Sequence, residues 1–336
     1  MPKVSIVMPA YNSEKYITHA LNSLINQTFS DWECIIVDDA STDGTLKIIK
    51  EFSAKDPRIR YKILDSNTGS AKVPRDTAIN MAISDWVIFL DSDDILESNG
   101  IEKLLQRQDE TGADFIILRI SQINEDGDIN TEKSNSRYKN FDFSQVLTGK
   151  EAVKLTIGNW LIGGFGLINK KLLSNRKSFS EIFHNYNMDE YDTRQMIISS
   201  EKVAFINTNY YLRINPNSIT RTLNIKKFQT LYTNDLIKKL VEDNFEQIDS
   251  IHEKMKYQYI CGILDCRKML LKLKRKIEKA KYMELDTLIR KYYKIFVSYK
   301  HKTWSLSLIK VILYTRYYTL FRFTTFLLFE IRKLKK

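Results

Sequence analysis

The sequence predicts an α/β fold, with a mostly parallel central sheet flanked by helices and a helical extension at the C-terminal end. Short apolar runs alternate with amphipathic stretches of helical spacing along about the first hundred residues, a pattern typical of a parallel sheet covered by helices. Polar residues end three of the apolar runs. Near residue 224 a slightly acidic body gives way to a strongly basic tail.

Four short apolar runs are predicted to be buried strands. In chain order they are Val4–Met8, Glu33–Val37, Ile59–Leu64 and Trp86–Leu90. The first helix is expected to follow an N-cap at Asn12 and Ser13, because apolar residues recur there at helical spacing as far as Ile25. The second spans Thr45–Phe52, and the third begins near Pro74, because proline is favoured in the first helical turn.

The charge of the chain is distributed unevenly. Its 336 residues include 52 Lys and Arg against 41 Asp and Glu, a net charge of +11. Residues 1–224 hold 26 basic and 30 acidic residues, a net charge of −4, whereas residues 225–336 hold 26 and 11, a net charge of +15. A basic tail of this kind is expected to meet an anionic surface, either a membrane or nucleic acid. Three cysteines exclude a disulfide scaffold.

From about Ile225 onward the pattern is helical, with a basic run from Lys268 to Lys281 and an aromatic-rich stretch from Trp304 to Leu334. Lys310, Arg316, Arg322 and Glu330 interrupt that stretch, so no membrane-spanning helix is predicted. Its composition favours a helix lying on anionic lipid. The alternatives are packing on the preceding part of the chain and a dimer interface. Aromatic residues interleaved with aliphatic ones do not form a base-stacking platform, so nucleic acid is not expected as a partner.

Polar segments lie at the predicted carboxyl ends of three strands, where ligands bind in open α/β sheets. They are Pro9–Asn12, Asp38–Asp39 and Asp91–Asp94. One such pair is often only a turn former, but three at successive strands favour a binding site. Neither a dinucleotide-binding glycine motif nor a P-loop is present, and Gly163–Gly166 is too short and too late to serve as one.

A metal ion could supply the positive charge that glycine loops would otherwise direct at a diphosphate. Asp91 and Asp93 are two residues apart, so in an extended segment their carboxylates point the same way. The sequence therefore predicts a site for Mg²⁺ or Mn²⁺ at the end of the fourth strand.

These segments together closely resemble the family 2 glycosyltransferases. The residues that carry the resemblance are Val4–Asn12, Asn26–Thr28, Ile36–Thr45 and Phe89–Asp94. It implies the A-type glycosyltransferase fold, a nucleotide-sugar donor, UDP as the nucleotide, and inversion at the sugar. The match continues more loosely to about residue 221. Gly69–Asp76 looks like the corresponding segment of bacterial members that decorate teichoic acids and capsules.

The resemblance also implies roles for individual residues. Asp189 takes the position of the catalytic base, and a slip of one residue in the alignment would give that role to Glu190. Asp93 is expected to bind the metal directly. Asp91 is expected to contact the ribose, or the metal through water. The nucleotide-sugar site is expected to contain Pro9, Ala10, Tyr11, Asn12, Asp38, Asp39, Arg75, Asp91, Ser92 and Asp93.

Within that site, Pro9, Ala10 and Tyr11 should line the base pocket, and Asp38 or Asp39 should accept a hydrogen bond from the base edge. Arg75 should face phosphate, with a plain surface arginine as the alternative. Two further residues are expected on the acceptor or sugar side. Asp94 is either a helix cap or a sugar contact, and Trp160 either stacks on acceptor sugar or belongs to the core.

The function expected from these residues is inverting transfer of a sugar to a cell-surface glycan or a polyprenyl-diphosphate-linked acceptor. Residues 1–224 would form the catalytic domain, with the donor half at about 1–100 and the acceptor half at about 100–224, and 225–336 the helical region. The N-terminus lacks the pattern of a signal peptide, so a cytoplasmic protein, peripheral on the inner face of the membrane, is expected. The alternative is a non-catalytic basic protein that binds membrane or nucleic acid on an α/β nucleotide-binding scaffold.

Overall fold

The computed structural model of the chain describes residues 1–130, 136–158, 161–174, 187–214, 223–246 and 250–298, together with Phe321 and Thr325. The chain forms two compact units. One contains Met1–Thr156 and Trp160–Asn217, and the other contains Ile157–Asn159 and Ser218–Lys336. The domain boundary at residue 224 and the two halves of the catalytic domain stay predictions.

The first unit is built on a ten-stranded sheet with helices around it. Its strands are β1 Val4–Ala10, β2 Trp32–Asp38, β3 Ile59–Ile63, β4 Trp86–Phe89, β5 Ile95–Leu96, β6 Phe115–Ile123, β7 Ile129–Asn130, β8 Val146–Leu147, β9 Gly166–Asn169 and β10 Val203–Arg213. They lie in the order β3-β2-β1-β4-β9-β6-β10-β5, with β7 beside β6 and β8 beside β10.

Helices of the first unit are α1 Ile17–Ile25, α2 Thr45–Lys55, α3 Lys72–Met81, α4 Gly100–Thr111, α5 Gly149–Val153, α6 Lys170–Ser174 and α7 Met188–Ser199. The second unit contains a 3-10 helix, Ile225–Gln229, and the helices α8 Thr230–Asn244, α9 Ile251–Leu273 and α10 Lys279–Ser298.

The first four strands confirm the predicted parallel sheet. β1 pairs in parallel with both β2 and β4, and β2 pairs in parallel with β3. Every residue of β1 and β2 is buried, which explains their largely apolar sequence, because strands covered by helices on both faces carry no solvent-facing side. Among the buried exceptions, Ser5 and Glu33 bond to each other at 2.6 Å. Helix α3 packs on both strands. Helix α1 contributes Ile17, Ala20, Leu21 and Leu24 to the same core cluster, and these four buried residues recur at helical spacing.

The second half of the sheet is mixed rather than purely parallel. The short strand β9 is antiparallel to both of its neighbours, β4 and β6, whereas β10 is parallel to β6. Gly166 opens β9, and a Cβ atom there would lie 1.9 Å from the carbonyl oxygen of Ile116. A glycine is therefore required where β9 approaches β6, which gives a packing role to the glycine-rich segment that is too short to bind a dinucleotide.

Helix α1 begins later than predicted. It starts at Ile17 without a side-chain cap, although an N-cap was expected at Asn12 and Ser13. Asn12 Oδ1 instead accepts a hydrogen bond from the backbone N–H of Thr42 at 2.8 Å, and Ser13 Oγ lies 2.6 Å from Ser92 Oγ. Both side chains therefore join neighbouring loops rather than capping their own helix.

The second unit confirms the predicted C-terminal helices as far as Ser298. A buried ion pair joins Arg267 of α9 to Asp286 of α10 at 2.8 Å. Most of the aromatic-rich stretch at 304–334 lies outside the described residues, but Phe321 is buried and its ring stacks on Tyr293 at 4.5 Å. None of the helices in the described ranges is both long enough and apolar enough to cross a membrane.

Candidate functional site

The segment that follows β4 alternates between exposed and buried side chains. Asp91 and Asp93 are partly exposed, whereas Ser92 and Asp94 are buried. Burial, and then the negative charge of Asp91, raise the pKa of Asp93 to about 6. Asp91–Asp94 is not the extended segment that was predicted but a turn, because the N–H of Asp94 donates to the carbonyl oxygen of Asp91 at 3.1 Å. The two carboxylates, which repel each other, leave an incompletely balanced negative charge at this turn.

Such a pair matches the oxygen ligands that hard divalent cations prefer. Within the described ranges no group of three or more His, Cys, Asp or Glu side chains could hold a metal ion. A cation at Asp91 and Asp93 would therefore need further oxygens from water or from a diphosphate. This partial ligand set is typical of Mg²⁺-like sites, which keep waters and substrate phosphates in the coordination shell.

Arg75 links this segment to the first turn of α3. Its guanidinium donates a hydrogen bond to Asp91 Oδ1 at 2.8 Å. Burial works against the charge of Arg75, but Asp91 and then Asp189 outweigh it and raise its pKa. The guanidinium is therefore close enough to Asp189 to feel its charge, although the two residues are far apart in sequence. The structure brings Arg75, Asp91 and Asp189 into one neighbourhood.

Asp189 and Glu190 occupy the first turn of α7 but have different surroundings. Asp189 is exposed, and no hydrogen bond to its carboxylate is found in the described part of the chain. Glu190 Oε2 accepts from the fully buried Arg194 at 3.3 Å. Burial raises the pKa of Glu190, with Arg194 acting in the opposite direction. Asp189 is thus the more accessible of the two carboxylates.

Two side chains hold α7 in place. Arg194 also donates to the backbone carbonyls of Glu190, at 2.9 Å, and Thr156, at 2.8 Å. Lys72, at the start of α3, pairs with Asp192 of α7 at 3.3 Å. The first turn of α7 is therefore attached to the same helix that carries Arg75.

The two acidic residues that follow β2 are buried and already bonded. Asp38 is 0% exposed, and its oxygens accept from the hydroxyl and the N–H of Ser41 at 2.5 and 3.1 Å. Asp39 accepts from the side chain of Asn67 at 3.0 Å and from the backbone N–H of Thr68 at 3.0 Å. Each carboxylate therefore fixes a neighbouring loop in this conformation, and the predicted contact with a base edge stays a prediction.

The other predicted donor-site residues lie along the end of β1. Pro9 and Ala10 are buried, Tyr11 is 47% exposed, and Asn12 adopts a positive φ of 46°. Ser92 is buried against Ser13. Trp160 lies outside the described residues.

Asp94 is placed differently from the two carboxylates before it. It is 2% exposed, and its oxygens accept from the Tyr210 hydroxyl at 2.7 Å and from the Arg213 N–H at 2.8 Å. Asp94 does not cap a helix, because it lies between β4 and β5. The sequence alone assigned no role to Tyr210, Arg213 or Arg194.

Comparisons with known proteins agree with this fold and site. The family model described as "Glycosyl transferase family 2" matches residues 5–175. Glycosyltransferase GlyG of Streptococcus pneumoniae serotype 4 is 30% identical over 249 residues, which cover 70% of this chain and 77% of GlyG. Poly(ribitol-phosphate) beta-N-acetylglucosaminyltransferase TarS of Staphylococcus aureus is 36% identical over 126 residues, or 37% of this chain but only 22% of TarS.

Two solved structures share the fold. S. aureus TarS 1–349 in complex with UDP-GlcNAc superposes with a TM-score of 0.62 at 19% identity and covers 88% of this chain and 81% of that one. The mannosyltransferase PcManGT of Pyrobaculum calidifontis, solved with GDP-Man and Mn²⁺, gives a TM-score of 0.51 at 13% identity, over 89% and 84%. The predicted A-type glycosyltransferase fold is confirmed, and the non-catalytic alternative finds no support.

Proposed function

We propose that this chain, which belongs to glycosyl transferase family 2, transfers a sugar from a UDP-sugar to an acceptor hydroxyl with inversion at the sugar C1. Its family makes it a glycosyltransferase; donor, acceptor and residue roles are our proposal. The observation that carries the proposal is the position of Arg75, which bonds to Asp91 and feels the charge of Asp189. The guanidinium of Arg75 therefore interacts both with Asp91, the candidate donor-binding carboxylate, and with Asp189, the candidate base.

Asp189 acts as the general base. The acceptor oxygen forms a bond to C1 while the bond between C1 and the diphosphate oxygen breaks, and the proton of the acceptor hydroxyl passes to the Asp189 carboxylate. Its exposure supports this role, since the base must reach an incoming acceptor. Glu190 serves a different purpose, because its bond to the buried Arg194 holds the turn in place.

Arg75 and the carboxylates of Asp91 and Asp93 hold the diphosphate end of the donor. Asp93 binds Mn²⁺ or Mg²⁺ directly, and Asp91 contacts the ribose or the metal through water. A cation held there would supply positive charge to the leaving diphosphate. Arg75 adds a fixed positive charge on the same side. Mn²⁺ in the PcManGT structure agrees with this assignment.

The nucleoside lies at the end of β1, against Pro9, Ala10 and Tyr11. Asn12 and Ser92 shape this pocket through the loops that they join. Asp39 accepts a hydrogen bond from the base edge in addition to those from its own loop. Asp38 supports the pocket by fixing the loop at Ser41. UDP-GlcNAc bound to TarS supports uridine as the base.

The acceptor is a cell-surface glycan or a polyprenyl-diphosphate-linked glycan, reached at the cytoplasmic face of the membrane. The name of TarS, which acts on poly(ribitol phosphate), supports an acceptor of this class. A set of exposed basic residues at the turn between α9 and α10, here called the basic turn, supports contact with anionic lipid. The basic turn consists of Lys272, Lys274, Arg275, Lys276 and Lys279.

A donor screen tests the proposal. The purified chain is incubated with Mn²⁺ and a panel of UDP-, GDP-, CMP- and dTDP-sugars, and release of the free nucleotide is measured with and without a chelator. We expect metal-dependent release from at least one UDP-sugar. Release only from a GDP-, CMP- or dTDP-sugar would contradict the nucleotide assignment, and failure to bind any nucleoside diphosphate would contradict the function as a whole.

A further inference from the structure

Strand β10, which has no part in the proposed reaction, holds the backbone of Asp91–Asp94, here called the metal segment. β10 comes about 120 residues after Asp91–Asp94 and contributes two buried side chains to it, Tyr210 and Arg213. The two residues make four hydrogen bonds with Asp91, Asp93 and Asp94, three through their side chains and one through the backbone N–H of Arg213.

Tyr210 connects the two ends of the segment. Its hydroxyl accepts the N–H of Asp91 at 3.1 Å and donates to Asp94 Oδ2 at 2.7 Å. The ring is 0% exposed and stacks on Phe165 with centroids 4.0 Å apart. Burial, and then the charge of Asp94, raise the pKa of Tyr210 well above its usual value, so the hydroxyl keeps the proton that it donates.

Arg213 holds the middle of the segment. Its Nε donates to the carbonyl oxygen of Asp93 at 2.9 Å, and its backbone N–H donates to Asp94 Oδ1 at 2.8 Å. The same guanidinium donates to the carbonyls of Asn124 and Glu125 at 2.9 and 2.7 Å. The metal segment is therefore tied to the loop after β6 as well as to β10.

These contacts matter because Asp91 and Asp93 repel each other when no cation lies between them. A flexible segment would let the two carboxylates move apart, and the free energy of bringing them together again would weaken metal binding. A turn fixed by buried hydrogen bonds holds the backbone of Asp91 and Asp93 in place before the metal arrives. Residues that orient metal ligands in this way typically change metal affinity by about 10- to 100-fold when they are altered.

We propose that Tyr210 and Arg213 are positioning residues that set the affinity of the site for its divalent cation. The inference rests on the proposed function, in that Asp91 and Asp93 must be the residues that bind the metal. Neither side chain touches the cation. Tyr210 acts through the Asp91 N–H and through Asp94, and Arg213 acts through the Asp93 carbonyl.

The variant Tyr210→Phe tests this directly, because it keeps the stacked ring and removes only the hydroxyl. Mn²⁺ binding is measured by electron paramagnetic resonance of the free ion, in the presence of UDP, on the full chain. We expect the dissociation constant for Mn²⁺ to rise at least about tenfold. UDP affinity without metal should stay within about twofold, which a general loss of structure would not allow.

Tyr211→Phe is the matched control. Tyr211 is the next residue of β10, so its side chain points to the opposite face of the sheet, and we expect wild-type Mn²⁺ affinity. Arg213→Lys is the second test, which serves if Tyr210→Phe does not fold. It keeps the charge but removes the Nε–H that bonds to Asp93, and it should also weaken Mn²⁺ binding about tenfold.

Asp93→Asn separates this inference from the proposed function. If Asp93→Asn loses Mn²⁺ binding while Tyr210→Phe and Arg213→Lys bind Mn²⁺ as the wild type does, the positioning role is overturned and the proposed metal site stands. If Asp93→Asn itself binds Mn²⁺ with wild-type affinity, the metal site is wrong and the positioning role falls with it. Equal loss of Mn²⁺ and of metal-free UDP binding in the folded Tyr210→Phe variant would also overturn the inference.

Discussion

The strand ends of the first unit and the helices of the second use their polar residues in different ways. In the first unit, the loops that follow β1, β2 and β4 bond to one another through side chains, as Ser13 does with Ser92 and Asn12 with Thr42. In the second unit, most charges lie on exposed helix faces, and Arg267 and Asp286 are a buried exception. Polar residues thus build a site in one unit and mainly a charged surface in the other.

That difference explains why the two regions are unequally informative. Side chains that must meet across loops can be replaced only by few residue types, so their pattern in the sequence points to a chemistry. Lysines on an exposed helix face need only to be charged, and their pattern indicates attraction to an anion without selecting one. Changes at strand ends should therefore affect catalysis, and changes in the helices should affect stability or surface binding.

The largest expected effect comes from the metal segment. Asp93→Asn, or treatment with EDTA, should lower turnover of the UDP-sugar by about a thousandfold or more, since the charge of the leaving diphosphate is no longer offset. Nucleotide release measured before and after addition of Mn²⁺ checks this. Mn²⁺ should restore the chelated wild type but not the variant. Asp109→Asn, an exposed carboxylate on α4, is the control, and full activity in excess chelator would contradict the metal's role.

A change in the second unit should lower stability without affecting the donor site. Arg267→Met leaves the carboxylate of Asp286 buried without its arginine, and loss of one partner of a buried ion pair costs about 3–5 kcal/mol. Urea unfolding followed by circular dichroism should show this loss, while UDP binding to the folded protein stays unchanged. Arg275→Met, at an exposed position of the same region, should change the free energy of unfolding by less than about 0.5 kcal/mol. A loss of UDP affinity without a loss of stability would contradict the distinction between the two units.

The pH dependence of metal binding should follow Asp93. Its pKa is raised to about 6, and only the deprotonated carboxylate binds a cation, so binding is nearly complete above that pKa and weakens below it. Between pH 7 and pH 5 the apparent Mn²⁺ affinity should fall about tenfold. Calorimetric titrations at several pH values measure this fall. A flat profile for the wild type would show that Asp93 is not the titrating ligand.

The smallest expected effects come from the basic turn. Each of Lys272, Lys274 and Lys276 changed singly to Gln should weaken binding to phosphatidylserine-containing vesicles about fivefold, because one charge near an anionic surface contributes about 1 kcal/mol. Vesicle flotation measures the bound fraction, and release of UDP from a soluble donor should not change. Lys50→Gln, an exposed lysine of α2, is the matched control. If these variants show the same vesicle-bound fraction as Lys50→Gln, the basic turn is excluded as the lipid contact.

The parts of the fold predicted best from sequence are those governed by local pattern. β1, β2 and β4 are largely apolar because helices cover both faces of the sheet, and a polar segment follows each strand where the ligand edge begins. The predicted start of α1 was wrong, because Asn12 and Ser13 are residue types that commonly cap helices but bond to remote loops here. A local rule cannot register that a distant loop competes for the same side chain.

The parts that could not be predicted depend on contacts between distant residues. The antiparallel insertion of β9 requires Gly166 to meet Ile116, and the support of the metal segment requires Tyr210 to reach Asp91 and Asp94. The sequence indicates each residue but not the pairing, since no local period links positions so far apart. Asp189 was proposed through family resemblance, and its proximity to Arg75 emerges only from the fold.

The central claim is that Asp189 is the general base, and the most direct test compares the rate of sugar transfer by Asp189→Asn with that by Glu190→Gln. The account predicts that Asp189→Asn lowers turnover of the UDP-sugar by about 10²- to 10⁴-fold, the usual contribution of a general base. UDP and Mn²⁺ binding should remain at wild-type strength, because Asp189 does not hold the diphosphate. Glu190→Gln should retain far more activity. Near-normal turnover by Asp189→Asn, or a deeper loss in Glu190→Gln at unchanged stability, would contradict the assignment of the base.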